Sequence, residues 1–261
     1  MTSNNHNNVV QNEYNQRANA YLTSKVHASG DDLEQIIKLI GNRPDAIALD
    51  MGCGGGHVSF NIAPLVSVVV AYDLSENMLT TVASEAEVRG ITNIVTKHGS
   101  AENLPCPDNS FDIVVSRYSA HHWQNPLKGL NQMHRALKNG GIAFFSDVIT
   151  PSDPLNDTWL QSVELLRDPS HVRNLRLSDW TKYLEANGYR IEKITTGRLR
   201  LEFNSWITRT KTPENLVKTI KHLLQNAKGE TKRYFEIEED GSFTVDTALI
   251  IGSKIEGEQL A

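Results

Sequence analysis

The sequence predicts an α/β fold, a mostly parallel sheet with helices on both faces and an antiparallel last strand. Three observations carry this. Between residues 46 and 148, short β-branched runs alternate with stretches of helical spacing, as in strands joined by crossover helices. A glycine cluster (Gly52, Gly54, Gly55, Gly56) follows the first run directly, so a tight turn separates a strand from a helix start. Near the end, residues 236–255 alternate on either side of Asp240-Gly241 like a hairpin, which would give the sheet an antiparallel edge.

The first dozen residues are Asn-rich, a composition expected to be mobile. Residues 14–25 turn helical, with Arg17, Ala18, Tyr21 and Leu22 sharing a face, until Ser29-Gly30 breaks the pattern. Leu33, Ile36, Ile37 and Ile40 then define an amphipathic helix closed by Gly41. Strands are expected at 46–50, 66–73, 94–98, 111–117 and 142–148. Ser75 caps a helix that runs to Arg89, and Pro126 opens another that ends at Asn139-Gly140-Gly141. Beyond 148 the alternation loosens. A helix at 158–167, a second one capped by Ser178, a strand at 190–203 and a helix from Thr212-Pro213 precede the hairpin. The expected organisation is an arm at 1–44 and a domain at 45–261, together one structural domain. Helical insertions at about 154–178 and 204–228 would serve as a lid or a substrate wall.

The totals narrow the function. With 26 basic and 31 acidic residues the net charge is -5, which points away from nucleic acid as a partner. Cys53 and Cys106 form no C-x-x-C pair, the start of the chain lacks the pattern of a secretory signal, and no run reaches the roughly 18 apolar residues of a membrane span. A cytoplasmic protein with no membrane span is expected, and a homodimer is compatible with this.

Three features fall at the carboxyl ends of successive predicted strands, the edge where open α/β sheets bind ligands. Glycines at 52, 54 and 56 permit positive φ and close approach of a ligand to bare main chain, at the start of a helix. Asp73 ends the second strand, where a carboxylate can accept from both hydroxyls of a ribose. Gly99-Ser100-Ala101-Glu102 follows the third, within reach of an adenine edge. A dinucleotide fingerprint wants a small third residue where this chain has His57, so the loop favours S-adenosylmethionine over a nicotinamide cofactor.

On the segments Leu49-Asp50-Met51-Gly52-Cys53-Gly54-Gly55-Gly56, Tyr72-Asp73-Leu74-Ser75-Glu76-Asn77-Met78, Gly99-Ser100-Ala101-Glu102-Asn103-Leu104-Pro105 and Phe111-Asp112-Ile113-Val114-Val115-Ser116-Arg117, the chain resembles the class I S-adenosylmethionine-dependent methyltransferases. Within them it is most similar to the branch typified by the ubiquinone and menaquinone biosynthesis enzymes. The resemblance implies a Rossmann-like, seven-stranded sheet. It sets Gly52, Cys53 and Gly54 against the methionine part of the cofactor and Asp50 on its amino group. It sets Asp73 on the ribose, Leu74 on an adenine face, and Ala101 and Glu102 near the adenine edge. Arg117 falls at the junction of cofactor and substrate. Ser100 stands where many relatives carry an aspartate, and a neutral hydroxyl is the weaker acceptor for the adenine amino group.

The expected reaction moves a methyl group to a small, aromatic or partly apolar molecule. No metal is needed, and no pair of histidines has metal-site spacing. A general base is required only where the acceptor must lose a proton. His122 or His121 would serve, beside Tyr118, which could orient the acceptor or cover the sheet edge. Alternatively one histidine, His121 in the first instance, packs on a backbone carbonyl while the other lines the pocket. Tyr21 and His27 could close over the cofactor or simply pack. His171 and Arg173 could meet an anionic acceptor, although a solvated loop accounts for them better. Among Trp159, Trp180 and Trp206, the last is the candidate for pocket contact, as against a core position. The rival classes are a nicotinamide-dependent oxidoreductase and a non-catalytic protein that binds S-adenosylmethionine.

Overall fold

The computed structural model describes residues 6–15, 17–22 and 28–254. Seven strands form one sheet: β1 (Arg43–Met51), β2 (Val66–Asp73), β3 (Ile94–His98), β4 (Phe111–Arg117), β5 (Leu137–Ile149), β6 (Tyr189–Leu201) and β7 (Phe243–Lys254), in the order β3-β2-β1-β4-β5-β7-β6. Six strands are parallel, and β7 runs antiparallel to both of its neighbours, β5 and β6. This is the Rossmann-like arrangement expected. The order reverses between β1 and β4, which opens a crevice beyond their carboxyl ends.

Eleven α-helices are described: α1 (His6–Asn15), α2 (Ala18–Leu22), α3 (Asp31–Ile40), α4 (His57–Ile62), α5 (Glu76–Val88), α6 (Pro126–Ala136), α7 (Pro154–Arg167), α8 (Leu177–Ala186), α9 (Phe203–Arg209), α10 (Glu214–Gln225) and α11 (Gly229–Tyr234). None among the described residues is long and apolar enough to cross a membrane. Apolar residues of β1, β2, β4 and β5 alternate between two cores. Leu49, Val114 and Phe145 pack with α6 and α8, while Ala48, Val115 and Phe144 pack with α3 and α4. A third core joins α7, α9 and α10 to the outer part of β7 through Leu160, Trp206, Ile220 and Phe243.

Four expectations need correction. Residues 6–15 are helical rather than mobile, because polar contacts that composition cannot show hold them down. The Asn15 side chain accepts from Ser75 Oγ at 2.7 Å, and Asn77 Nδ2 donates to the Asn15 backbone carbonyl at 2.9 Å. Of the helix expected over 14–25, residues 16 and 23–25 lie outside the described residues, and the rest is interrupted at Arg17, whose buried guanidinium turns to Asp168 at 3.3 Å. Helix α6 stops at Ala136, and Asn139-Gly140-Gly141 lies inside β5, where the register with β4 shifts. The 236–255 stretch is not a hairpin. Its second half is β7, whose antiparallel partner is the distant β6, so the antiparallel strand is internal and a strand parallel to the rest forms the edge.

Candidate functional site

The glycine loop sets the geometry of the crevice. Gly52, Gly54 and Gly56 all have positive φ, at 72°, 50° and 82°. A Cβ on Gly52 would stand 1.9 Å from Ser119 Oγ, whereas one on Gly54 would meet nothing within 4 Å. The first glycine therefore lets β1 and the loop after β4 close up, and the second leaves bare main chain facing open space. Gly55 answers a third demand: the backbone of Tyr21 and Leu22 lies 2.9 Å from where its Cβ would be, so the amino-terminal arm sits directly on the loop. The arm is also clipped there by a bond from His57 Nε2 to the Tyr21 carbonyl at 2.9 Å. His57, bulky for a dinucleotide loop, has a positive use in this chain.

Two carboxylates flank the bare turn. Asp50 is buried and accepts from the Ser59 amide at 3.1 Å and the Ser59 hydroxyl at 2.7 Å, through one oxygen. Burial pushes its pKa up to about 6 in spite of those bonds. Asp73 accepts from the Gly54 amide and the Ser75 amide, each at 2.8 Å, and burial raises its pKa as well. Together with Cys53, Leu74, Ser100, Ala101, Glu102 and Arg117, these residues line a cleft enclosing about 940 Å³ of empty space, part of it open to solvent. Glu102 takes the Asn125 amide at 2.9 Å, and the Tyr72 hydroxyl donates to the Ser100 carbonyl at 3.1 Å, which pins the loop after β3.

Arg117 is held from a quarter that local sequence could not reveal. Its Nε and Nη2 donate to the two oxygens of Asp32 at 2.6 and 3.0 Å, and Ser146 Oγ donates to the same carboxylate at 2.7 Å. Burial would raise the Asp32 pKa, but the bonds and charge of Arg117 hold it below the usual carboxylate value. The first turn of α3 thus fixes a side chain at the end of β4.

A second, smaller chamber adjoins the first. Tyr14, Tyr21 and Tyr118 line both and form the partition between them. Behind the partition stand His121, Asn174, Arg167, Arg209 and Trp206, with Leu199 and Leu201 of β6. The rings of Tyr14 and Tyr21 are 5.1 Å apart, and Tyr118 has a φ of 51°, unusual for a residue with a side chain, which turns the chain at the end of β4.

The two adjacent histidines have different partners. His122 sits at 3.0 Å from the Ser170 carbonyl through Nδ1 and at 2.6 Å from the Tyr14 hydroxyl through Nε2. A carbonyl can only accept, so Nδ1 carries the proton and Nε2 takes the one from Tyr14. Burial and the neighbouring His121 push the His122 pKa down to about 3, which keeps it neutral. His121 Nδ1 donates to the buried Asp147 at 2.6 Å. Burial would lower its pKa, but the charge and bond of Asp147 win and raise it. The backbone carbonyl is therefore the partner of His122, and the histidine with a carboxylate behind it is His121.

Tyr21 and Trp206 line the second chamber, and Trp206 is also buried in the third core. Trp159 and Trp180 pack against Phe235 and Phe145. His171 and Arg173 line neither chamber. His171 is buried, not solvated, and bonds Gln161 at 2.9 Å, while Arg173 pairs with Asp157 at 2.5 Å. His27 lies outside the described residues. Tyr14, Asp32, Asp147, Arg167, Asn174 and Arg209 escaped the sequence reading, since no short motif links them.

Residues 49–145 match the family model described as a methyltransferase domain. The chain is 45% identical over 203 residues to the uncharacterized protein YafE of Escherichia coli, covering 78% of this chain and 98% of that one. It is 35% identical to the uncharacterized methyltransferase YcgJ of Bacillus subtilis, over 92% of this chain and 97% of YcgJ. The crystal structure of YcgJ superposes with a TM-score of 0.83, covering 87% of this chain and 99% of that one.

Proposed function

This chain belongs to the class I S-adenosylmethionine-dependent methyltransferases, and from that premise we propose that it methylates a small, aromatic or partly apolar molecule held in the second chamber. The observation that carries the proposal is the partition: among the described residues, Tyr14, Tyr21 and Tyr118 alone are common to a cleft suited to the cofactor and a chamber suited to an acceptor.

The residues of the cleft fit the cofactor. Bare main chain at Gly54 lies between two carboxylates, the buried Asp50, suited to an ammonium group, and the partly exposed Asp73, suited to vicinal hydroxyls. Asp50 would hold the amino group, Gly52, Cys53 and Gly54 the methionine part, and Asp73 the ribose. Leu74, Ser100, Ala101 and Glu102 would hold the adenine. When bound, S-adenosylmethionine supplies a methyl group already activated on a sulfonium. What remains for this chain is alignment, exclusion of water and, where the acceptor must lose a proton, a base. His121 suits that role: with Nδ1 committed to Asp147, its Nε2 is the nitrogen left to take a proton. His122 instead braces Tyr14 within the partition.

The finer placement, in the branch of the quinone-biosynthesis enzymes, is supported by 35% identity over 108 residues to the demethylmenaquinone methyltransferase of Geobacillus stearothermophilus, spanning 40% of this chain and 46% of that protein. The chamber residues Tyr14, Arg167, Asn174, Trp206 and Arg209 fall outside the family match at 49–145, so the acceptor is not inherited from it.

The test is calorimetric titration with S-adenosylhomocysteine, followed by assay of the labelled methyl group against a panel of small acceptors. Wild-type protein should bind the product, and Asp73→Ala should weaken binding 10- to 100-fold, about 1 to 3 kcal/mol for lost bonds to a ribose. Unchanged affinity in that variant removes Asp73 from the site. Tight binding with no turnover of any acceptor favours the non-catalytic alternative.

A further inference from the structure

The second chamber combines apolar surface with hydrogen-bond donors. Leu199, Leu201 and Trp206 form the apolar surface. Beside them stand two guanidiniums, Arg167, whose Cζ lies 4.9 Å from the centroid of the Trp206 ring, and Arg209, with the carboxylate of Glu164 in the same lining. Arg167 is buried. Its Nη1 pairs with Glu164 at 3.2 Å and its Nε donates to the Trp206 carbonyl at 3.1 Å, so two of its three nitrogens are committed and Nη2 makes no hydrogen bond among the described residues. Arg209 shares the enclosure, and burial together with the nearby charge of Arg167 lowers its pKa. Burial would lower the Arg167 pKa as well, but the charges of nearby acids, Glu164 and Asp168 among them, raise it, so Arg209 is the cation that an incoming anion relieves.

Asn174 adds an independent observation. It is 2% exposed, it lines the same chamber, and its side-chain nitrogen has no hydrogen-bond partner among the described residues. A buried donor left without an acceptor costs about 1 to 3 kcal/mol, which a ligand oxygen would recover. Planar guanidinium forks and an amide N–H match the in-plane lone pairs of a carboxylate.

We propose that the methyl acceptor is a small, largely apolar carboxylic acid, its carboxylate bound by Arg167, Arg209 and Asn174 and its body against Trp206, Leu199 and Leu201. This deepens the methyl-transfer reading and rests on it. The carboxylate is a handle: it anchors one end of the acceptor and leaves the other to reach the tyrosine partition and His121. Arg167, Arg209 and Asn174 are therefore positioning and specificity residues.

The experiment uses the full chain saturated with S-adenosylhomocysteine at pH 7.5, titrated with benzoate, 4-hydroxybenzoate, indole-3-acetate and octanoate, and with the primary amide of each. At least one acid should bind tenfold or more tightly than its own amide. Arg209→Gln should erase that preference. Asn174→Asp, nearly the same size but opposite in electrostatic effect, should weaken the acid tenfold or more and leave the amide within twofold, which a loss of fold could not do. Arg167→Lys, which keeps the charge but loses the fork, should give an intermediate preference. Equal binding of acid and amide, a preference that survives in Arg209→Gln, or no binding of any acid to the saturated protein overturns the inference. Failure of S-adenosylhomocysteine itself to bind overturns the methyl-transfer reading instead, so the two failures are distinguishable.

Discussion

The two chambers are made of different materials. The first is built from main chain and strand ends: the loop after β1, the acid ending β2 and the turn after β3, each lying within a few residues of its own strand. The second is built from side chains that arrive from α1, α2, α7, α9 and β6, and the residues that meet there are separated by as many as 195 positions, from Tyr14 to Arg209. The first kind of site tolerates little change in its loop geometry. The second can change its occupant by exchanging side chains on a scaffold that stays in place.

If this contrast holds, a change in one chamber should spare the other, and the widest separation is expected at His121. His121→Gln should lower turnover of an accepted acidic phenol about 100- to 10,000-fold, with S-adenosylhomocysteine affinity within twofold of wild type. Because Asp147 raises the His121 pKa and only the neutral ring can act as a base, wild-type turnover should rise with pH through an inflection above 6.5. Equal losses in turnover and cofactor affinity would erase the distinction between the chambers.

The converse variant is Gly52→Val. A side chain there meets Ser119 and a φ of 72°, so S-adenosylhomocysteine affinity should fall at least about 100-fold. Calorimetry reads the loss, and a variant that binds normally shows that the loop can relax.

A smaller effect concerns Asp50. An ammonium group beside it would lower a pKa that burial has raised to about 6, so binding should release protons near pH 6. Affinity should then decline by up to about tenfold per pH unit as the solution is made more acid than that. Titration at pH 6 in two buffers of different ionisation enthalpy measures the proton count, and a count of zero separates Asp50 from the amino group.

The smallest expected effect lies in the shared wall. Tyr14→Phe removes the partner of His122 Nε2 and should cost about 1 kcal/mol, or about fivefold, in ligand affinity on both sides. An effect confined to one side would show that the wall belongs to that side alone.

The same contrast explains what could be read from the sequence. The cleft-lining positions of Asp50, Gly52, Asp73 and Ala101 were legible because strand, turn and lining residue are contiguous in the chain. Arg117 was legible but Asp32 was not, since nothing local joins an acid in the first turn of α3 to a guanidinium 85 positions later. Asn-rich composition hid α1, whose hold on the fold comes from Asn15 and Tyr14 meeting Ser75 and His122. The roles of the paired histidines depend on Asp147 and Ser170, which only the fold brings to them. Arg167, Arg209 and Asn174 lie in insertions where the strand-helix rhythm that guided the first half has lapsed.

The seating of Tyr21 on Gly55 and the bond its carbonyl receives from His57 matter to anyone who would redesign this protein. On the proposed two-chamber reading, substitutions in α7 and α9 should retailor acceptor preference without disturbing the donor. A change in the arm is heard in both rooms at once, so altered selectivity should be sought from the far walls inward, with the arm left for last.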